Sequence, residues 1–211
     1  SDTGLFEQLA TAVLRGARPA LYANLTQPGI NADGKTVPSP IDGMSFVPAA
    51  NPPHMIAVHH TTQGDLRAKW LYEPSANAKS SARPGDLIKT AALVAVERER
   101  TPTLLVTLAL TTNHEPEPDL TLDAQKRADK DGIILDVWSR GRIAHFLDTS
   151  PDGQWLRRKF LGIEQESVSP DLLRELSKRS LSINSLLVRD DALVERKDAA
   201  DLFSHLAQPV G

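Results

Sequence analysis

The segment Thr103–Thr111 consists almost entirely of apolar and β-branched residues. A strand of this composition is typically buried on both faces, as in a parallel sheet covered by helices. Gly132–Trp138 predicts a second strand of the same kind, and a charged helix predicted for Asp119–Lys130 connects the two. Because strand, helix and strand in this order form a β-α-β crossover, we expect an α/β protein.

The elements predicted upstream complete a mixed sheet. A first helix ends at Gly16, and Ile41–Val47 and Met55–Val58 form two strands joined by a proline-rich turn, which predicts a hairpin. A short helix over Asp65–Tyr72 and a long helix capped by Asp86 then lead to the buried strands. The expected fold is therefore a mixed central sheet flanked by helices on both faces.

The composition changes after the last predicted strand. We place the α/β domain at residues 1–150 and interpret 151–211 as a mostly helical connector or docking arm to a downstream domain. Helices are predicted over Pro170–Leu181 and Asp198–Leu206, with a strand over 184–189. We therefore expect the chain to be part of a longer protein.

Composition excludes several functional classes. With 24 Lys+Arg against 27 Asp+Glu, the formal net charge is -3, so any nucleic-acid binding would be local. Cysteine is absent, which excludes disulfides, thiolate metal sites and cysteine nucleophiles and fits a cytoplasmic location. No apolar run approaches the about 18 residues that a membrane span needs. The sequence also lacks a phosphate-binding glycine loop, a His-Glu-x-x-His motif and a Gly-x-Ser-x-Gly motif.

One group of chemically versatile residues surrounds the predicted hairpin. Asp42 lies at the bend of the first strand, and His59 and His60 end the second. Side chains alternate along a strand, so only one imidazole can lie on the same face as the site. Lys89 begins the following helix and could reach the same cleft. The alternative is structural: Asp-Gly is a common turn pair, and histidines often bond loop carbonyls.

These residues, together with the order of elements over about 1–140, resemble the PD-(D/E)xK restriction-endonuclease-like nucleases, and in particular their Mrr-like branch. In that family a first-helix Glu, a strand Asp and an acid-x-Lys motif bind Mg²⁺ and activate water. Glu7 corresponds to the first, and Pro40-Ile41-Asp42-Gly43 corresponds to the second.

The third motif departs from the family. Met55–Gln63 contains neither an acid nor a lysine. The resemblance therefore implies that His59 or His60 replaces the acid, and that Lys69 or Lys89 replaces the lysine.

Metal-assisted phosphodiester hydrolysis is the chemistry that such a site would serve, because a cation stabilises the developing charge and acidifies water. Carboxylates suit Mg²⁺, whereas an imidazole ligand favours Mn²⁺ or another transition metal. Alternatively the imidazole acts as a general base and a lysine stabilises the phosphate charge. The expected metal ligands are Glu7, Asp42 and His59, and the expected catalytic residues are Asp42, His60, Lys69 and Lys89.

A basic group follows the hairpin. Arg67, Lys69 and Arg83 would suit contact with a phosphate backbone. The alternative interpretation is an ordinary solvated face.

A second resemblance rests on several short strings. They are Asn31-Ala32-Asp33-Gly34-Lys35, His60-Thr61-Thr62, Arg67-Ala68-Lys69-Trp70-Leu71, Gly85-Asp86-Leu87-Ile88-Lys89, Gly153-Gln154-Trp155-Leu156-Arg157-Arg158-Lys159 and Leu161-Gly162-Ile163-Glu164. Together they resemble the N-terminal region of large bacterial proteins that carry a STAND-type NTPase and are associated with antiphage defence. The resemblance implies an effector or sensor domain whose partner is the downstream NTPase domain of the same polypeptide.

Three functions follow as hypotheses. The first is a metal-dependent DNA nuclease serving as the effector of a defence NTPase. The second is a catalytically degenerate nuclease-fold domain that binds nucleic acid or a partner protein and relays a signal. The third is an assembly module, in which Leu172, Leu173 and Leu176 anchor the arm and homo-oligomers form. No membrane contact is expected.

Overall fold

The computed structural model describes residues 3–26, 41–47, 49–75, 82–164 and 174–179. The chain divides into two units, Ser1–Gln165 and Glu166–Gly211. In the second unit, residues 174–179 are helical, within the helix predicted for Pro170–Leu181.

The other predictions for the C-terminal part of the chain lie outside the described residues. They are the strand over 184–189, the helix over Asp198–Leu206, and the anchors Leu172 and Leu173.

The first unit is a mixed α/β structure in which helices flank a four-stranded sheet. In chain order the elements are α1 (Thr3–Ala17), α2 (Pro19–Tyr22), β1 (Gly43–Phe46), β2 (His54–Thr61), α3 (Leu66–Leu71), α4 (Asp86–Arg100), β3 (Leu105–Thr112), α5 (Pro118–Lys130), β4 (Ile134–Trp138), α6 (Arg140–Thr149) and α7 (Pro151–Leu161).

The strands follow one another in the order β1-β2-β3-β4. β1 pairs with β2 antiparallel, with Gly43 opposite Val58. β2 and β3 are parallel, as are β3 and β4, and α4 and α5 make the connections. The predicted mixed sheet flanked by helices is therefore confirmed, including the hairpin that opens it.

Each face of the sheet covers its own apolar cluster. Met55 and Ala57 of β2 pack on the side of α3, α4 and α5. Ile56 and Val58 pack on the side of α1, α6 and α7. This alternation continues to the end of β2, so the two consecutive histidines there belong to different faces.

Helix α7 packs against α1 and α6. Leu156 is buried in the cluster on that face, and a Cβ at Gly153 would lie 1.9 Å from the Phe146 carbonyl oxygen. Only glycine permits this close approach of α7 to α6. Residues 151–161 therefore lie within the first compact unit, whereas the sequence placed the domain boundary at 150 and assigned them to the arm.

In the described part of the chain, no helix combines the length and apolarity needed to cross a membrane.

Candidate functional site

The candidate site lies where β1 begins and β2 ends. The Asp42 backbone N–H donates to the Val58 carbonyl at 3.0 Å, which extends the hairpin by one residue beyond β1. The Asp42 carboxylate in turn accepts the His60 backbone N–H at 2.8 Å. Two bonds to the backbone of β2 thus fix this carboxylate at the sheet edge, where its side chain keeps 37% of its exposure.

His59 connects this edge to α4. Its ring is 3% exposed, and Nδ1 lies 3.7 Å from Asp42 Oδ2 and 3.6 Å from Asp86 Oδ1. One imidazole nitrogen therefore faces two carboxylates, one from the residue that precedes β1 and one from the first residue of α4. Asp42, His59, Asp86, Lys69 and Lys89 are named the acid-lysine cluster below.

The hydrogen bonds of Thr90 fix the proton arrangement of His59. The Thr90 hydroxyl donates to the Asp86 carbonyl oxygen at 2.9 Å, so its oxygen accepts the bond from His59 Nε2 at 3.1 Å. Since Nε2 must then carry a proton, the neutral ring presents its Nδ1 lone pair to the two carboxylates. A protonated ring would instead pair with both acids. In either state, Nδ1 is the atom that faces the site.

Asp86 lies at the centre of the cluster. It is completely buried, and its Oδ1 lies 3.0 Å from Lys89 Nζ and 3.3 Å from Lys69 Nζ. Its Oδ2 has no hydrogen-bond partner among the described residues. Buried carboxylate oxygens are costly to leave unpartnered, so this atom has unused capacity for a donor or a cation.

Gly85 sets the position of Asp86. A Cβ at Gly85 would lie 2.6 Å from both the carbonyl carbon and the oxygen of Trp70. The Gly85 N–H donates to the Tyr72 carbonyl at 2.8 Å, which draws the start of α4 against the end of α3. This approach lets Lys69 of α3 reach Asp86 of α4.

Glu7 of α1 is electrostatically coupled to the cluster. Partial burial raises the pKa of Glu7, the Asp42 charge raises it further, and Lys69 opposes the rise. Burial would also raise the pKa of Asp42, but interaction with His59 and the His60 N–H outweighs burial and holds that pKa below its usual value. The two carboxyls therefore differ in proton affinity, with Asp42 the more readily ionised.

His60 lies on the opposite face of β2. Its Nε2 is 3.0 Å from Thr11 Oγ1 and its Nδ1 is 2.7 Å from Thr111 Oγ1. Burial lowers the pKa of His60 to about 4. Both ring nitrogens are engaged away from the cluster, so the structure does not support His60 as a catalytic residue, because strand alternation turns it toward α1.

The three predicted phosphate contacts are separated. Lys69 belongs to the cluster, whereas the Arg67 guanidinium bonds Asp123 at 2.9 Å and Asp119 at 3.2 Å, and Arg83 is exposed. The basic surface expected around α3 is thus reduced by two acidic partners from α5.

Within the described ranges, no group of three or more His, Asp or Glu side chains is arranged as a metal site. The predicted ligands Asp42 and His59 do lie together. The pKa of Glu7, which burial raises, is raised further by the charge of Asp42. Asp86 is the residue that sequence reasoning missed as a site member, because it was interpreted only as a helix cap. The available signal was its spacing to Lys89, which places an acid and a lysine one helical turn apart.

A second buried carboxylate lies on the other face and is fully bonded. Asp136 accepts from Tyr22 at 2.6 Å, Trp138 at 3.0 Å, Arg18 at 2.9 Å and Arg142 at 2.7 Å. These bonds hold the pKa of Asp136 below its usual value, against the effect of burial. With every donor directed at one carboxylate, this group ties α1 and α2 to β4 and α6.

Comparison with known proteins found no matching family model and no matching curated protein. Function is therefore inferred from the geometry of the acid-lysine cluster.

Proposed function

We propose that the chain is a metal-dependent nuclease domain, restriction-endonuclease-like in fold, that hydrolyses phosphodiester bonds of DNA. The observation that carries the proposal is His59 Nδ1, which lies within 3.7 Å of carboxylate oxygens from both Asp42 and Asp86. Carboxylates beside lysines at a partly open sheet edge suit a charged phosphodiester substrate.

The types of donor atom in the acid-lysine cluster suit a divalent cation, although the described side chains are not arranged as a metal site and would have to close around the ion. Asp42 and Asp86 would contribute carboxylate oxygens and His59 would contribute Nδ1, with the unpartnered Asp86 Oδ2 as the free ligand atom. Glu7 would complete the acidic surroundings. An imidazole nitrogen favours Mn²⁺ over Mg²⁺. A bound cation would neutralise phosphate charge and lower the pKa of water.

The lysines would act on the phosphate. Lys69 and Lys89 keep about a quarter of their exposure, so their ammonium groups are reachable from solvent. Each is held by Asp86 at the distance of a charge-assisted hydrogen bond or ion pair. In this role Lys69 and Lys89 would replace the lysine of the family's third motif and Asp86 would replace its acid, since Met55–Gln63 contains neither.

The proposal extends to the biological setting. Such a domain would serve as the effector of a larger cytoplasmic defence protein. Its substrate would be DNA, and its partner would be a downstream NTPase domain of the same polypeptide. The resemblance of the short strings described above supports this extension.

A second candidate is a catalytically degenerate domain of the same fold that binds nucleic acid or a partner and relays a signal. The observation that favours it is the state of Asp86, whose Oδ1 is already neutralised by two ammonium groups. A cation would have to compete with these lysines.

Binding and cleavage measured together separate the candidates. Labelled single-stranded DNA and plasmid DNA are incubated with Mg²⁺ or Mn²⁺ and with wild type, Asp42→Asn or the control Glu99→Gln, which alters an exposed residue at the far end of α4. A nuclease predicts cleavage that Asp42→Asn abolishes and Glu99→Gln preserves. Binding without cleavage by any of the proteins supports the degenerate domain.

A further inference from the structure

A pocket of about 350 Å³ is lined in part by the first residues of α3, the helix that also carries Lys69 of the acid-lysine cluster. Its walls come from the segments that follow β2, β3 and β4, and its lining includes Gly64, Leu66, His114, Pro116, Leu120 and Arg140. Ligands of open α/β sheets bind outside the carboxyl ends of parallel strands, and pockets of about 300–1,000 Å³ hold small molecules. Both its position and its size make this pocket a candidate binding site.

The pocket has apolar lining at two buried leucines. Leu66 and Leu120 are each 5% exposed, and Pro116 lines the pocket beside them. Gly64 adds no side chain and has open space beyond its Cα, since the nearest atom to an added Cβ is His114 Cε1 at 3.9 Å. An apolar group therefore suits this part of the pocket.

His114 supplies a defined acceptor. Its Nε2 lies 3.1 Å from the Thr62 carbonyl oxygen. A carbonyl only accepts, so Nε2 carries the proton and Nδ1 of the neutral ring is left as an acceptor.

Arg140 supplies the donors. Its backbone N–H bonds the His114 carbonyl at 3.0 Å, but within the described residues its guanidinium has no hydrogen-bond partner. By contrast, Arg67 is held by α5. The Gly141 N–H, together with the nearby Arg140 charge, holds the pKa of Glu115 below its usual value, so Arg140 faces one acid of the pocket without a hydrogen bond to it. The Arg140 guanidinium and the His114 Nδ1 are therefore available as a planar cationic donor and an acceptor for a ligand in the pocket.

Helix α3 contributes residues to both the pocket and the cluster. Leu66 and Arg67 line the pocket, and Lys69, within one turn of the same helix, contacts Asp86. Leu66 and Lys69 are separated by about 4.5 Å along the axis of α3. A strand of nucleic acid bound at the cluster would therefore also lie close to the pocket.

We propose that this pocket takes one unstacked nucleobase of a single-stranded nucleic acid whose phosphate lies at the acid-lysine cluster. This inference rests on the proposed function and names its substrate class. A nucleobase is a flat ring with donors and acceptors on its edge, which matches apolar side chains flanked by Arg140 and His114. Unstacked bases are recognised by stacking on aromatic rings, histidine included, or on guanidinium planes, and by hydrogen bonds to the base edge. His114 and Arg140 are the groups of the pocket that supply such surfaces.

The test measures binding apart from cleavage. Full-length Asp42→Asn protein is titrated, by fluorescence anisotropy, into labelled oligothymidylate and into an oligomer of the same length that consists of abasic residues. Base stacking is worth about 1–3 kcal/mol per base, so we expect at least about fivefold weaker binding of the abasic strand.

Two further variants block the pocket. Gly64→Leu fills it and Arg140→Gln removes the Arg140 charge, and each should reduce the preference for the strand with bases to about one. Glu99→Gln should keep that preference. Unfolding transitions identify a variant that fails to fold. If Gly64→Leu does not fold, the test rests on Arg140→Gln, because Arg140 is exposed and its substitution should leave the fold intact.

Equal binding of the two strands by the parent, or an unchanged preference in both pocket variants, would overturn the inference. Cleavage is measured in parallel on proteins that retain Asp42. Cleavage without a preference for the strand with bases overturns only the proposed nucleobase site. A preference for that strand without cleavage overturns only the proposed nuclease activity. Failure to bind either strand overturns both.

Discussion

Lys69 Nζ lies 3.3 Å from Asp86 Oδ1, and this contact joins α3 to the first turn of α4. Because Asp86 is completely buried, its charge depends on the ammonium groups of Lys69 and Lys89 and on the ring of His59. The cluster therefore exists only while α3 and α4 keep their close approach.

Gly85→Ala should disrupt that approach. The added Cβ would lie 2.6 Å from backbone atoms of Trp70, which cannot rotate away as a side chain would. Overpacking of this kind costs about 1–3 kcal/mol of unfolding free energy. Urea unfolding measures the loss, and Gly64→Ala is the matched control, because its Cβ would have no neighbour closer than 3.9 Å. Equal stability of the two variants would contradict the packing described for Gly85.

Asp136→Ala should destabilise the first unit by about 3 kcal/mol, since removing one member of a buried ion pair leaves its partners without a counter-charge. The variant leaves Tyr22, Trp138 and two arginines without their acceptor. Asp119→Asn, which affects an exposed pair with Arg67, should change stability little. The two unfolding curves are compared directly, and a small effect of Asp136→Ala would refute the structural role.

Stability should fall as the pH drops from 6.5 toward 4. The folded-state pKa of His60 is about 4 against an ordinary 6.5, so the unfolded chain binds this proton first. Protonating the unfolded state removes about 3 kcal/mol across that window, and the contribution is fully present above pH 6.5.

The matched comparison is His60→Gln, which keeps hydrogen-bonding capacity but does not titrate. Unfolding free energies at pH 7 and pH 4.5 should differ less in this variant than in wild type. Titrating groups that do not interact with His60, Glu7 among them, contribute to both proteins and cancel in the difference. The coupling between Asp42 and His60 is lost in the variant and belongs to the measured effect. An identical pH dependence would show that His60 is not buried as described.

The cluster lysines should matter for turnover. Lys69→Met and Lys89→Met keep the apolar stem and remove the charge that faces Asp86, so we expect kcat for DNA cleavage to fall about 100- to 1,000-fold. Lys130→Met, an exposed lysine at the end of α5, is the control. Wild-type turnover in both cluster variants would exclude the lysines from the reaction.

Much of the fold could be predicted because its signals are local. The apolar segment Thr103–Thr111 predicted a strand that the structure places at Leu105–Thr112, and the charged helix at Asp119–Lys130 is found at Pro118–Lys130. Burial on both faces leaves few arrangements other than a parallel strand covered by helices. The position of α7 could not be predicted in this way, because it depends on Gly153 meeting α6.

The candidate site was predictable only in part. Strand alternation showed that one of His59 and His60 would face it, but the choice depends on which face α4 covers. Asp86 reads as a helix cap in sequence, whereas in the structure the N-cap is Gly85 and the Asp86 side chain is buried. Its role depends on the contact between Gly85 and Trp70, which no local pattern encodes.

The most direct test of the nuclease proposal is cleavage of single-stranded and plasmid DNA in Mn²⁺ and Mg²⁺ by wild type, Asp86→Asn and Glu99→Gln, each confirmed as folded by its unfolding transition. We predict that wild type and Glu99→Gln cleave, that Mn²⁺ supports the faster reaction, and that Asp86→Asn is inactive. Cleavage by Asp86→Asn at the wild-type rate, or no cleavage by any of the three, would contradict the assignment of the acid-lysine cluster as a nuclease site.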